Sequence, residues 1–128
     1  MAEKTVVADT SLWIDFFRKV DKSKTRLVVL SLQYDRIAIT AITAFEIYSG
    51  ATPQQLQFWT ELLTEVVVLP FDSNAAHIAA DVQQALKKQR KSIEKADLFI
   101  AATAIANNLP LATLNKKHFD KIGQLTLV

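Results

Sequence analysis

Short apolar runs alternate along this chain with longer stretches that have helical spacing. The runs of strand length cover residues 5–8, 37–39, 66–69, 111–112 and 125–128. Strands that are apolar throughout, and that are separated by helices, favour a parallel sheet covered on both faces. We therefore predict an α/β fold, a three-layer α/β/α sandwich with a central parallel sheet, in which residues 1–128 form a single domain.

Several of the predicted helices have recognisable starts. Pro53 after Thr52 indicates a helix start, because proline at the first helical position gives up an amide hydrogen that has no partner there. Asp72 or Ser73 can cap the next helix through a side-chain oxygen. The segment after Asp97, LFIAATAIA, is apolar almost all round, so we expect it to be buried on most sides. Three further helices are expected: one that begins at Ser11, one that carries Leu27, Leu30 and Tyr34, and one that spans residues 43–50. The helix that starts at Pro53 is expected to have an apolar stripe of Leu56, Trp59, Leu62 and Leu63. The helix capped by Asp72 or Ser73 is expected to have one of Ile78, Val82, Ala85 and Leu86.

The composition supports a folded domain and excludes several classes of protein. Half of the residues are hydrophobic and 22% are charged, which is typical of a chain with a full core rather than a disordered one. Only two Gly and three Pro are present, too few to punctuate the many short strands of a β-sandwich or barrel. The absence of cysteine excludes a disulfide framework, a thiolate metal site and a cysteine nucleophile, so we expect a cytoplasmic protein.

Neither a membrane nor a strongly charged partner is indicated. The N-terminal sequence lacks the apolar region and cleavage site of a signal peptide, so we expect none. The longest uncharged stretch, residues 98–115, is interrupted by Thr, Asn and Pro and falls short of a membrane span. The net charge of +2 is too mild to demand a nucleic-acid partner, and the basic cluster within residues 87–95 is typical of a solvated helix end.

Three carboxylates fall where predicted strands end or helices begin. Asp9 directly follows the first run, where it could also be an ordinary N-cap, and Glu46 lies just past the second run. Asp97 opens the most apolar helix. Parallel sheets bind ligands at the carboxyl ends of their strands, and carboxylates gathered there would raise each other's pKa unless a cation neutralised them. Oxygen-only ligands favour Mg²⁺, or Mn²⁺, over zinc.

A polar cluster in LATLNKKHF directly follows the fourth run. It contains Thr113, Asn115 and His118. A lone histidine is commonly structural, and His77, inside an earlier helix, is expected to be so.

Together these segments resemble the PIN domain, and specifically the VapC-type ribonuclease toxins of bacterial and archaeal toxin–antitoxin pairs. The resemblance rests on Asp9 in VVADTS, Glu46 in TAFEIYSG, Asp97 in KADLFIAATAIANNLPLATLNKKHF and the closing strand, and it covers essentially the whole chain. Its most specific part is the combination of D-x-x-I-A-A-T-A with T-x-N-x-x-x-F at this spacing.

The resemblance implies a metal-dependent endoribonuclease in which Asp9, Glu46 and Asp97 are both the catalytic and the metal-binding acids. It implies Mg²⁺ or Mn²⁺ as the cofactor and places Thr113, Asn115 and His118 in support. The chain departs from the family at the fourth acidic position. In many members an acid stands where this chain has His118, and in others an Asp stands where it has Asn115. Fewer negative charges therefore remain to hold a second metal ion.

The resemblance also implies partners. These are a small cognate antitoxin, an RNA substrate with transfer-RNA or ribosomal-RNA loops as the cleaved sites, and a second copy in a homodimer. Lys116 and Lys117 are the first candidates for RNA contacts, and the basic cluster of residues 87–95 is the second. The segment 13–17 and the stripe ending at Leu62 and Leu63 could supply partner surfaces, although core packing is expected for most of these residues.

Two alternatives remain. A receiver-type signalling module would place a phosphoacceptor at Asp72, but this chain lacks the acidic pair after its first strand and a Lys after its last. A PIN-fold scaffold that has lost catalysis is the second alternative, motivated by His118.

Overall fold

The computed structural model describes residues 3–128, and within them a four-stranded parallel sheet lies between helices. The strands are β1 (Thr5–Ala8), β2 (Arg36–Thr40), β3 (Val67–Leu69) and β4 (Leu111–Ala112). The helices are α1 (Thr10–Arg18), α2 (Arg26–Gln33), α3 (Ala41–Gly50), α4 (Pro53–Leu63), α5 (Ser73–Lys88), α6 (Lys95–Ala106) and α7 (Lys116–Phe119), with a 3₁₀ turn at Lys22–Lys24.

Each face of the sheet has its own apolar core, because side chains alternate between the faces along a strand. Val6 and Ala8 of β1 belong to a core shared with α1 to α4, whereas Val7 belongs to the core shared with α5 and α6. The predicted three-layer α/β/α sandwich is therefore confirmed. The LFIAATAIA helix, α6, is buried on most sides, as its apolar sequence predicts.

The strand order β3-β2-β1-β4 places β1 in the middle of the sheet. The chain moves outward from β1 through β2 to β3, and then crosses back to add β4 on the other side of β1. The loops that follow β1 and β4 therefore diverge at the carboxyl edge of the sheet, and such a reversal of strand order is where open parallel sheets bind ligands.

The predicted starts of α4 and α5 agree with the structure, whereas α1 and α3 begin at Thr10 and Ala41, one and two residues earlier than predicted. Thr52 forms a capping box with Gln55 ahead of Pro53, and Asp72 caps α5 by accepting a hydrogen bond of 2.9 Å from the Ala75 amide. The aromatic segment 13–17 serves the core, as expected. Trp13 is buried, and the ring centroids of Phe17 and Trp59 are 5.1 Å apart.

Some expectations were wrong in detail. The predicted fifth strand, residues 125–128, forms a single parallel bridge between Leu111 and Leu127, because its neighbour β4 is only two residues long. Tyr34 is the C-cap of α2 rather than part of it. Leu56 and Ala85, expected in apolar stripes, are exposed, because Trp59 and Leu63 on α4 and Val82 and Leu86 on α5 are the residues that reach the core. The short helix α7 was not predicted, since its four residues, three polar and one Phe, carry no helical period.

Candidate active site

Asp9 lies where β1 ends and α1 begins, and its carboxylate is almost fully enclosed, with the residue only 4% exposed. Its Oδ1 accepts hydrogen bonds from the Ser11 hydroxyl at 2.5 Å and from the Leu12 amide at 3.4 Å. Its Oδ2 accepts a hydrogen bond of 2.6 Å from the hydroxyl of Thr113, which follows β4. Asp9 is thus an N-cap, and it also joins the two loops that diverge at the carboxyl edge.

The two hydroxyl groups that hold Asp9 are themselves fixed by the backbone. The Ser11 hydroxyl accepts a hydrogen bond of 3.1 Å from the Leu114 amide, and the Thr113 hydroxyl accepts one of 2.9 Å from the Asn115 amide. A hydroxyl group has a single hydrogen, so both groups use an oxygen lone pair for the amide and donate that hydrogen to Asp9. The orientation of the Asp9 carboxylate is therefore set from two sides.

Asp97 lies in the first turn of α6 but does not cap it. The N-cap is Glu94, which makes no side-chain capping hydrogen bond. Because α6 leads back to the start of β4, its own first turn lies at the carboxyl edge of the sheet, near Asp9. The Oδ2 of Asp97 is 3.3 Å from Nδ1 of His118, which follows β4.

Glu46 reaches the same edge from α3, where it is half-buried. The Thr10 hydroxyl donates a hydrogen bond of 2.7 Å to its Oε1 and lies 3.0 Å from the hydroxyl of Thr43. The start of α1 therefore orients this second carboxylate as well as that of Asp9.

The electrostatics of the site disfavour its negative charges. Burial raises the pKa of Asp9, although hydrogen bonds from Ser11 and Thr113 partly offset this effect. Burial also raises the pKa of Asp97; His118 lowers it, and the negative charges of Glu94 and Asp9 raise it again. Asp9 and Asp97 are therefore close enough to repel each other.

The three predicted acids open onto one cleft of about 460 Å³ at the carboxyl edge. Its lining residues are Asp9, Thr10, Ser11, Ile14, Asp15, Arg18, Glu46, Glu94, Asp97, Ile100, Leu114, Asn115 and His118. Of the predicted supporting residues, Asn115 and His118 line the cleft, while Thr113 acts from behind Asp9. Lys116 and Lys117 lie beside the cleft, along an adjoining groove with Leu114 and His118. The basic cluster within residues 87–95 contributes no basic side chain to the lining.

Sequence reasoning missed three charged residues of the cleft. Glu94 stands three positions before Asp97, which puts both side chains on one face of the helix start. Asp15 and Arg18 follow Ser11 at helical spacing on α1. The signal that could have found them is this spacing relative to an acid already identified.

The donor set fits a divalent cation held by two carboxylates. Asp9 and Asp97 offer only oxygen atoms, and their mutual repulsion is what a bound Mg²⁺ or Mn²⁺ would relieve. In residues 3–128, no group of three or more His, Cys, Asp or Glu side chains could hold a metal ion as arranged. Water would therefore have to complete the coordination, and Mg²⁺ usually keeps several waters.

Comparison with known proteins agrees with the fold. The PIN domain family model matches residues 6–125. A protein of Methanocaldococcus jannaschii named Ribonuclease VapC1 is 35% identical over an alignment covering 98% of this chain and 86% of the relative.

Two solved structures are also similar over nearly their whole length. VapBC2 from Rickettsia felis, bound to a promoter DNA fragment, aligns over 97% of both chains with a TM-score of 0.83 and 25% identity. VapBC-5 from Mycobacterium tuberculosis, a member of the VapBC family of toxin–antitoxin systems, aligns over 97% of both chains with a TM-score of 0.72 and 26% identity. Within the described residues, no helix is both long enough and apolar enough to cross a membrane.

Proposed function

The chain belongs to the PIN domain family, and we propose that it is an endoribonuclease, the toxin of a toxin–antitoxin pair. The relative that is 35% identical is named a ribonuclease, and a structural neighbour is a member of a family of toxin–antitoxin systems. One observation carries the proposal. Asp9 and Asp97, which are far apart in the sequence, line a single cleft at the carboxyl edge of the sheet.

In this proposal Asp9 and Asp97 hold Mg²⁺ or Mn²⁺. When bound, such an ion lowers the pKa of a coordinated water and stabilises negative charge that develops on a phosphodiester. The chain itself supplies rigidity, because Ser11 and Thr113 fix Asp9 from two sides. Glu46, oriented by the Thr10 hydroxyl, accepts a hydrogen bond from the attacking water.

We propose structured RNA as the substrate, with cleavage in a single-stranded loop of transfer RNA or ribosomal RNA. Single-stranded loops are where unstacked bases can be read. The cleft is open to solvent along one side of the sheet, and Lys116 and Lys117 beside it could contact the RNA backbone.

We also propose a cognate antitoxin and a second copy of the chain as protein partners, in the cytoplasm. Several large apolar side chains outside the two cores remain in contact with water and offer surfaces for partners. Val20 after α1 and Leu32 on α2 are the most exposed of them, and Phe45 on α3 is 67% exposed.

The test is cleavage of total cellular RNA by the purified protein, free of antitoxin, with Mg²⁺ or Mn²⁺ and then with EDTA. We expect discrete fragments that require the metal. Asp97→Asn should slow cleavage by about 100-fold or more, because a ligand of the activating ion is lost. Asp81→Asn is the matched control, since Asp81 also pairs with a histidine, His77, but on the exposed face of α5.

Two outcomes would contradict this assignment. Cleavage by Asp97→Asn at the wild-type rate would remove Asp97 from the site. No cleavage by the folded wild type with either metal would favour the scaffold alternative, and His118→Asp, which returns an acid to the fourth position, would then test whether that acid is what is missing. A receiver-type module is not supported, since Asp72 is an exposed helix cap that lies outside the cleft.

A further inference from the structure

We propose that Arg18 binds a phosphate of the RNA strand that flanks the scissile phosphodiester, and so sets the path of the substrate along α1. This inference rests on the proposed ribonuclease function and extends it to a residue that neither the motifs nor the acidic positions indicate.

The first observation is the position of Arg18. It is the last residue of α1, the helix that Asp9 caps, and it lines the same cleft as Asp9 and Asp97. Ser11, Ile14 and Arg18 follow one another at intervals of three and four residues, so they share one face of α1. The cleft therefore continues from the carboxylates along this face to the guanidinium group.

The second observation is the balance of charge. The cleft is lined by five carboxylates, and Arg18 is the only Lys or Arg among the lining residues drawn from positions 3–128. A phosphodiester strand that approaches the acids is repelled by them except where a cation compensates. On the protein side, Arg18 is the lining residue that carries a permanent positive charge.

The third observation is that Arg18 is available. Its neighbour Asp15 is paired with Lys19 at 3.6 Å. Arg18 is exposed and, within the described part of the chain, lies in no ion pair of 4.0 Å or less. Its planar fork of donors is therefore free for a ligand, and that fork matches the oxygens of a phosphate.

The spacing along α1 decides which phosphate is bound. Arg18 stands nine positions after Asp9, which at 1.5 Å per residue is about 13.5 Å along the helix. A side chain that leans toward the helix N-terminus shortens this distance without closing it. Arg18 therefore binds a neighbouring phosphate equally in the ground state and in the transition state, which affects KM rather than kcat.

The experiment compares Arg18→Gln and Arg18→Lys with the control Lys24→Gln, which removes an exposed positive charge whose ion-pair partner, Asp21, also lies outside the cleft lining. Binding of a labelled single-stranded RNA is measured in EDTA over a range of salt concentrations, and steady-state cleavage is measured with Mg²⁺.

We expect Arg18→Gln to raise Kd and KM by about 10-fold, as for loss of a charged hydrogen bond, with kcat unchanged. The slope of log K against log salt should fall by about 0.7. Arg18→Lys should keep the slope but bind more weakly, because a point charge lacks the fork. Lys24→Gln should follow the wild type.

The outcomes separate this inference from the proposed function. Equal Kd, KM and salt slope for Arg18→Gln and Lys24→Gln overturn the role of Arg18, even if the wild type cuts RNA. Absence of RNA binding by the wild type also overturns it. An Arg18-dependent salt slope without any cleavage supports the phosphate contact and contradicts the nuclease.

Discussion

Two aspartates at the carboxyl edge of the sheet, Asp9 and Asp72, have the same local role in different surroundings. Each follows a strand, adopts an extended backbone conformation and caps the next helix by accepting a hydrogen bond from the amide three residues on. Asp72 makes the shorter capping bond, 2.9 Å against 3.4 Å, and is exposed. Asp9 is buried, and hydroxyl groups from two loops hold its carboxylate.

The difference comes from the place of each strand in the sheet. Asp72 follows β3, an edge strand, and is exposed. Asp9 follows the central strand β1, beside the point where strand order reverses, so the loop after β4 reaches it. The capping role of an aspartate thus depends on its local sequence alone, whereas the enclosure of the candidate catalytic Asp9 depends on the order of the strands around it.

The difference between the two aspartates predicts that only Asp9 is needed for RNA cleavage. We expect Asp9→Asn to lower kcat/KM for RNA cleavage by about 100-fold or more, since it removes a charged metal ligand, and Asp72→Asn to leave it unchanged. Both variants should remain folded, because Asn is as good an N-cap as Asp. Cleavage kinetics and thermal melts by circular dichroism measure the two effects. Similar activities for the two variants would place the chemistry away from Asp9.

Much of this arrangement could be predicted from the sequence. Four of the five strands that the apolar runs predicted are present and pair in parallel, and strand ends singled out Asp9 and Glu46. These predictions succeed because they depend on local patterns and on one general rule, that the carboxyl ends of parallel strands meet at one edge. The start of the most apolar helix singled out Asp97 as well, and the resemblance to PIN domains matched all three acids to the acidic positions of the family.

The remaining features depend on contacts that no local pattern encodes. The Thr113 hydroxyl donates to Asp9 from more than a hundred residues away, and the pairing of His118 with Asp97 depends on where α7 begins. Arg18 and Glu94 enter the cleft through helix phases that are fixed only once α1 and α6 pack on the sheet. The terminal segment 125–128 pairs weakly because β4 is short, which is a property of its neighbour and not of its own sequence.

The comparison can be sharpened by removing one of the contacts that distinguish Asp9 from Asp72. Thr113→Val takes away the hydroxyl that donates to Oδ2 of Asp9, and the pKa of Asp9, which burial already raises, should rise further. We expect the metal concentration needed for half-maximal cleavage to increase about 10-fold, as for loss of a group that supports a metal ligand. A metal titration of the cleavage rate at constant pH measures this shift.

The control for this variant is Thr103→Val, an equally conservative change at a buried threonine. The Thr103 hydroxyl donates to the Phe99 carbonyl inside α6 and does not contact Asp9. If both variants needed the same metal concentration as the wild type, the hydroxyl of Thr113 would be a structural contact without influence on the ion, and the second loop would not account for the difference between Asp9 and Asp72.

The smallest expected effect concerns Asp97, the second candidate metal ligand. It is tested by comparing two aspartate–histidine pairs, one inside the cleft and one outside it. His118 lies 3.3 Å from Asp97 in the cleft, and His77 lies 3.5 Å from Asp81 on the exposed face of α5. Burial raises the pKa of Asp97 and His118 lowers it, so His118→Ala should raise the pKa of Asp97 further. At a given acidic pH a smaller fraction of Asp97 is then ionised, and the acid limb of the pH–rate profile should move to higher pH.

The loss of rate on that acid limb should be about 5-fold or less, because the His118 side chain is 57% exposed and exposed pairs contribute little. Well above that limb the two rates should converge, since Asp97 is ionised in both proteins. His77→Ala should leave the pH–rate profile of the wild type unchanged. If the profile of His118→Ala also overlaid that of the wild type, His118 would have no influence on the candidate metal ligand Asp97.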